Sequence, residues 1–190
     1  IQDRARLLMI GFGYTEVFNF LITNEDQSYR MVRRPVAERA RLANSSSVEL
    51  TMLRDSLLPG LIRNLSSNKH EKYPQRIFET GPVIRVSEDG FVDTRVSLAG
   101  VSAHSSASFS EAKSVVLSLL SNLCVEPVSF KKGEDSLFTP GRVAEIVFNN
   151  SPLGVLGEVH PEVLELNGLE NPVAGFEVDL THLVKKYSKF

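Results

Sequence analysis

The chain has 190 residues, of which 42% are hydrophobic and 23% charged, and its formal net charge is -2. This composition is typical of a globular domain and excludes a largely disordered chain. The slight acidity also argues against a dedicated nucleic-acid binder, because such proteins usually carry an excess of Lys and Arg. The single cysteine excludes an internal disulfide and a multi-cysteine zinc site, and no apolar run is long enough for a membrane span. We therefore expect one cytoplasmic domain, residues 1–190, cut from a longer protein and without a membrane partner.

The first third of the chain predicts short helices and two strands. An amphipathic pattern indicates a helix over residues 1–10, and the aromatic and β-branched run over 15–22 favours a strand. Asn24 with Gln27 resembles a capping box, which predicts a short helix to about residue 31. A further short strand is expected over residues 39–44.

The middle of the chain contains the clearest helix and a predicted hairpin. Leucine and isoleucine recur at helical spacing over residues 54–68, where Pro59 lies in the first turn. Strands are predicted over residues 75–86 and 91–101, joined by a turn at 87–90. These two strands favour antiparallel pairing.

The second half alternates strands with helices. Ser108 and Glu111 predict a capped helix that continues over residues 112–123, and His160 before Pro161 predicts the cap of another. The remaining predicted elements are strands over 142–149, 152–159 and 173–180, with a final helix over 181–187. Because strands often follow strands through tight turns, we predict an α+β fold, a mostly antiparallel sheet flanked by helices.

No pattern of catalytic or metal-binding residues stands out. None of the four histidines lies three or four residues from another, and no serine has a nucleophile-elbow motif. His104, in a serine-rich loop, is expected to be solvated. A basic cluster favours a solvated face over an RNA contact, since acidic residues lie close in sequence; it comprises Arg30, Arg33, Arg34, Arg39 and Arg41.

Four segments, in order, resemble the β subunits of phenylalanine–tRNA ligases. They are GFGYTEVFNF at 11–20, NSSSVELTMLRDSLLPGLIRNLSSNKHEKYPQRIFE at 44–79, SFSEAKSVVLSLLSNL at 108–123 and PGRVAEIVFNNSPLGVLGEVHPEVLELNGLENPVAGFEVDL at 140–180. Each is weak alone, but four in the same order are specific. The sequence SFSEAK at residues 108–113 resembles the archaeal and eukaryotic type of this subunit more than the bacterial type.

The resemblance implies a fold like that of class II synthetase catalytic domains, without their chemistry. Active members carry an arginine on their second-motif strand and a G-x-G-x-x-R third motif. Here the second-motif strand ends with Arg85, followed by a short turn. Glu177 and Asp179 stand where the third motif has glycines, and His182 where it has arginine. Carboxylates repel a triphosphate, and histidine does not replace a permanently charged arginine. The resemblance thus predicts a non-catalytic core that binds no ATP, cofactor or metal itself, although the complex would use ATP and Mg²⁺.

The resemblance also implies an architectural role beside a catalytic α subunit, in an α2β2 heterotetramer that charges tRNA(Phe). The resemblance implies that the complex binds tRNA, and no direct contact between this domain and tRNA is expected. In class II folds the first-motif helix and strand supply the dimer contact, which corresponds here to residues 4–22. The expected contacts are Leu7, Leu8, Tyr14, Phe18 and Phe20.

Arg54 and Glu79 are charged residues inside apolar segments of the resemblance. They are expected either to form a buried ion pair or to be solvated separately. Two other functions remain open for the whole domain, an active class II-type adenylate-forming ligase and an RNA-binding module.

Overall fold

The computed structural model of the chain describes residues 1–36, 40–41, 50–86 and 89–187. Within them the helices are α1 (Gln2–Gly11), α2 (Glu25–Ser28), α3 (Leu58–Ser67), α4 (Phe109–Asn122), α5 (Pro161–Leu166) and α6 (Leu180–Tyr187), with a 3₁₀ turn at Arg30–Val32. The strands are β1 (Thr15–Glu16), β2 (Ile22–Thr23), β3 (Met52–Leu53), β4 (Gln75–Val86), β5 (Val92–Ala103), β6 (Val128–Lys132), β7 (Phe138–Phe148), β8 (Ser151–Val159) and β9 (Val173–Asp179).

One seven-stranded sheet organises the molecule, with the strand order β1-β4-β5-β9-β8-β7-β6. Strands β2 and β3 form a separate small antiparallel pair. Among the described strands of the large sheet, the short β1–β4 pair is parallel and the other neighbouring pairs are antiparallel. The prediction of an α+β fold with a mostly antiparallel sheet and flanking helices is therefore confirmed.

Apolar side chains cover both faces of the sheet. One core cluster joins α1, α4 and α6 to the sheet and includes Met9, Phe78, Val116 and Phe176. The other packs α3 and α5 on the opposite face. All seven residues of β9 are buried because this strand lies between β5 and β8 and beneath both layers. Phe176 and Val178 belong to the first cluster, so the alternation of a strand directs Glu177 and Asp179 to the other face.

The prediction of one continuous strand over residues 15–22 is wrong. The structure has β1 and β2 with an irregular segment between them. After Val17 donates its N–H to the carbonyl of Phe78 (2.8 Å), the backbone N–H of Asn19 donates instead to the side chain of Glu79 (3.2 Å). A side-chain acceptor replaces the sheet ladder at this point, which ends the strand.

The remaining differences concern the ends of elements and two strands. Helix α3 begins at Leu58 rather than near residue 54, and neither β3 nor β6 was predicted. The strand expected over 39–44 lies largely outside the described residues, although Arg41 forms an isolated bridge with Met52. Part of the predicted turn at 87–90 also lies outside them. None of the described helices is long and apolar enough to cross a membrane.

Candidate functional site

A polar cavity of about 450 Å³ lies against the buried face of the sheet that carries Glu177. Strands β4, β5, β8 and β9 form its floor, and loop residues close its sides. Its ionisable lining residues are Arg34, Arg85, Arg95, Asp55, Asp135, Glu177 and Asp179. The second-motif position Arg85 and two of the three third-motif positions are thus brought together in one cavity.

Glu177 is held by only one of its two carboxylate oxygens. Oε2 accepts hydrogen bonds from the Ser56 hydroxyl (2.6 Å) and from the Leu57 backbone N–H (3.2 Å). Oε1 is buried and has no hydrogen-bond partner among the described residues, and the whole residue is 6% exposed. Burial raises the pKa of Glu177, while the Ser56 hydrogen bond and the nearby charges of Arg34 and Arg85 oppose that rise. The site therefore contains an acceptor that receives no hydrogen bond from the described part of the chain.

Asp179 is fully engaged within the domain. Its Oδ2 lies 3.1 Å from Arg95, which also contacts Asp93 at 2.8 Å, and its Oδ1 accepts the backbone N–H of His182 at 3.2 Å. His182 is not a lining residue of the cavity. Asp179 therefore uses one oxygen to begin helix α6 and the other to neutralise Arg95.

The other two cations of the cavity differ in how they are paired. Arg34 makes a two-point contact with Asp135, through Nε to Oδ1 (3.2 Å) and Nη2 to Oδ2 (2.7 Å). The expectation of a solvated Arg34 is therefore wrong. Arg85, which is exposed at the mouth, has no hydrogen bond or ion pair with any residue that the structure describes. It is the free cation among the described lining residues.

The rest of the basic cluster is occupied by acidic neighbours. Arg33 lies 2.7 Å from Glu162, and Arg30 and Arg41 both contact Glu25, at 3.4 and 2.9 Å. Arg39 falls outside the described residues. The described arginines of the cluster are therefore paired with carboxylates, which weakens their attraction for phosphates.

A second polar cluster lies next to the irregular segment after β1. The Arg54 Nη1 and Glu79 Oε1 atoms are 2.6 Å apart, with the side chains 9% and 2% exposed. Asn19 donates to Oε2 at 2.6 Å, and the Arg54 Nε donates to the carbonyl of Pro82 at 3.0 Å. A Cβ atom at Gly81 would lie 2.7 Å from Arg54 Nη2, so glycine leaves the space that the guanidinium fills.

The five proposed contact residues divide into exposed and buried ones. Leu7, Phe18 and Phe20 are 70%, 74% and 85% exposed. Leu8 is partly buried against the first core cluster, and Tyr14, 5% exposed, belongs to it. Tyr14 therefore packs inside the domain, and burial raises its pKa to about 12. The interface role stays a prediction, now concentrated on the three exposed side chains.

His104 is not solvated as expected but belongs to a hydrogen-bonded network. Its Nε2 lies 2.8 Å from Glu111, whose other oxygen accepts from Ser102 (3.0 Å) and from Arg76 (3.2 Å). Its Nδ1 lies 3.2 Å from the Ser106 hydroxyl and also accepts the Ser106 backbone N–H at 3.3 Å. These hydrogen bonds hold the loop before α4 in place. A structural role therefore accounts for the neighbouring histidine and serine, and no hydrolytic site is needed to explain them.

The raised pKa of Glu177 predicts how stability changes with pH. The folded protein binds the proton of the Glu177 carboxyl more tightly than the unfolded chain does. The stability that this difference contributes is therefore complete below the ordinary glutamate pKa. It is lost as the pH rises through the raised value. Glu177→Gln keeps the side-chain shape and removes the buried charge. We expect it to be at least as stable as the wild type at pH 7.5, within about 1 kcal/mol of it at pH 4.5.

Urea unfolding of both proteins across that pH range measures the difference. Glu165→Gln, at an exposed position on α5, controls for loss of a charge. If Glu177→Gln is much less stable than the wild type at pH 7.5, the raised pKa assigned to Glu177 is wrong.

The fold is that of the class II aminoacyl-tRNA synthetase-like domains. The solved structure of Desulfitobacterium hafniense PylSc, a pyrrolysyl tRNA synthetase, matches 99% of this chain and 68% of its own with a TM-score of 0.80. The sequence identity is only 13%, so this likeness concerns the fold. The predicted class II-like architecture is confirmed.

Sequence comparison defines the family within that class. Residues 1–180 match the profile of the family described as "Phenylalanyl tRNA synthetase beta chain CLM domain", and the chain belongs to this family. The phenylalanine–tRNA ligase beta subunits of Archaeoglobus fulgidus and Methanothrix thermoacetophila are 41% and 39% identical to it, each over 95% of this chain. The chain spans 32% of the length of either relative. The resemblance inferred from the four segments is confirmed.

Proposed function

We propose that this chain is the non-catalytic, synthetase-like core of a phenylalanine–tRNA ligase β subunit, one domain of a longer cytoplasmic protein. In this role it packs against the catalytic α subunit and supports it, within an α2β2 complex that charges tRNA(Phe) with phenylalanine using ATP and Mg²⁺. The observation that carries the non-catalytic part is the presence of Glu177 and Asp179 in the wall of the cavity.

The charges of the cavity oppose nucleotide chemistry. When an adenylate forms, attack on the nucleotide phosphorus builds negative charge on the phosphate oxygens, and several cations must offset that charge. Here Arg34 is engaged by Asp135 and Arg95 by Asp179, which leaves Arg85 as the free cation among the described lining residues. No residue that the structure describes donates a hydrogen bond to Glu177 Oε1. A triphosphate in this cavity would therefore meet carboxylates with little compensating positive charge.

Calorimetry with ATP and Mg²⁺ tests the absence of nucleotide binding. We expect no saturable heat from the 190-residue chain at nucleotide concentrations up to about 1 mM, because the carboxylates repel the phosphates. A matched titration of the complex with the α subunit supplies the positive control. Micromolar binding to this chain alone contradicts the proposal and favours the alternative of an active adenylate-forming ligase.

Co-expression with a matching α subunit tests the architectural part. We expect the two proteins to purify together and to elute at the size of a heterotetramer when the full-length β subunit is used. An α subunit that purifies alone and charges tRNA(Phe) normally would contradict it.

The RNA-binding alternative has less support. The described arginines of the basic cluster have carboxylate partners, so few of them are free to release counterions from a phosphate backbone. A salt-dependent affinity of this chain for tRNA would reverse that ranking.

A further inference from the structure

A groove of about 300 Å³ lies between the irregular segment after β1 and helix α3. The rings of Phe18 and Phe20, which are 74% and 85% exposed, line it from the side of the irregular segment. Leu50, 41% exposed, adds further apolar surface, and Arg63 lines the groove from α3. Exposed apolar side chains and an arginine therefore border the same groove, and its described lining residues include no acidic side chain.

The buried ion pair of Arg54 and Glu79 holds the segment that carries the two rings. Glu79 accepts the backbone N–H of Asn19 at 3.2 Å and the side-chain amide of Asn19 at 2.6 Å. Arg54 Nη1 donates to the carbonyl of Asn19 at 3.4 Å. On the other side, helix α3 approaches closely at Gly60, where a Cβ atom would lie 3.2 Å from the Asn19 amide nitrogen. The segment is therefore fixed before a partner arrives, which lowers the entropy lost on binding.

The charges of the groove select the chemistry of the partner. Of the two arginines that line it, Arg54 is neutralised by Glu79 at 2.6 Å. Arg63 is exposed and forms no hydrogen bond or ion pair with any residue that the structure describes. A carboxylate can pair with this guanidinium through two hydrogen bonds, whereas a basic side chain is repelled. The groove therefore fits a polypeptide segment in which an acidic residue adjoins an apolar one.

We propose that this groove receives such a segment of the catalytic α subunit, with its acidic residue paired to Arg63 and its apolar residue packed on Phe18 and Phe20. This inference rests on the proposed packing role and identifies the chemistry of one contact within it. The rings supply buried apolar area, and Arg63 supplies specificity. A partner that lacks the acid leaves the guanidinium to be desolvated without a counter-charge.

Dilution of the complex between the full-length β subunit and the α subunit, followed by analytical ultracentrifugation, tests the role of Arg63. We expect Arg63→Ala to raise the dissociation constant about tenfold and Arg63→Glu at least about a hundredfold, because the second change also places two like charges together. Raising the salt concentration from about 50 to about 300 mM should weaken the wild-type complex more than the Arg63→Ala complex, since salt screens the ion pair. Lys131→Glu makes the same change of charge at an exposed position on β6, outside the groove, and should bind as the wild type does.

The outcomes separate this inference from the packing role on which it rests. If both Arg63 variants bind the α subunit as tightly as the wild type does, the inference is overturned while the packing role stands. If Arg63→Glu lowers the stability of the isolated β subunit and leaves the complex intact, another part of the β subunit occupies the groove, and the inference is again overturned. Failure of the wild-type subunits to associate at all contradicts the packing role itself, and the inference falls with it.

Discussion

Replacing Arg54 by leucine is expected to lower the free energy of unfolding by about 3–5 kcal/mol, because it leaves the Glu79 carboxylate buried without its partner. Glu79 is 1% exposed, so water cannot take the place of the guanidinium without opening the fold. The same change also removes the hydrogen bond to the carbonyl of Pro82. Urea unfolding of the 190-residue chain measures the loss.

Two further variants show whether the pair itself is responsible. In the double variant Arg54→Leu with Glu79→Leu no charge is buried, so it should recover a large part of the lost stability. Arg30→Leu removes an exposed pair with Glu25 and should cost less than about 1 kcal/mol. A loss at Arg54 no greater than that at Arg30 would show that the buried pair contributes little.

Substituting aspartate for Phe18 or Phe20 is expected to weaken the complex with the α subunit by at least about a hundredfold. Both rings project from the irregular segment between β1 and β2 and are 74% and 85% exposed. An aromatic anchor at the centre of an interface typically contributes several kcal/mol, and a carboxylate in its place must also be desolvated. Sizing of the co-expressed proteins at micromolar concentration measures the effect.

Phe91 provides the matched control for this prediction. It is 71% exposed but lies immediately before β5, away from the segment assigned to the interface. Phe91→Asp should therefore leave the complex intact, and the unfolding of all three variants should match that of the wild type. If Phe91→Asp breaks the complex while Phe18→Asp and Phe20→Asp leave it whole, the interface lies elsewhere on the domain.

The helix caps were the part of the fold most readily predicted from the sequence. Asn24 accepts the backbone N–H of Gln27, and His160 accepts that of Glu162, as the capping patterns indicated. Ser108 likewise accepts the N–H of Glu111. Caps depend on a few neighbouring residues, so a sequence window contains all the information they need.

Features set by distant residues were not predicted. The strand after α1 breaks because a side chain from β4, Glu79, accepts the N–H that a ladder would otherwise use. Helix α3 starts late because the N–H of Leu57 is engaged by Glu177 on β9, 120 positions away. Neither partner is visible in the local pattern, so periodicity alone extends both elements too far.

The sequence also predicted only part of the candidate site, because some contacts there join residues that are far apart in the chain. The resemblance singled out Glu177 and Asp179, and both line the cavity, but His182 contributes its backbone N–H to Asp179 instead of lining it. Arg34 was assigned to a solvated surface, since its partner Asp135 is 101 positions away. The Glu177 oxygen that lacks a partner among the described residues is buried by several elements, so no local sequence pattern predicts it.

The position of β9 has a consequence for how the chain folds during synthesis. The β4–β5 hairpin and the β6–β7–β8 meander leave the ribosome first, yet they touch within the sheet only through β9, which is made after both. Until that strand appears, each half exposes an unpaired edge that invites association with other chains. Completion of the nascent chain through residue 179 thus turns two separate halves into a single sheet.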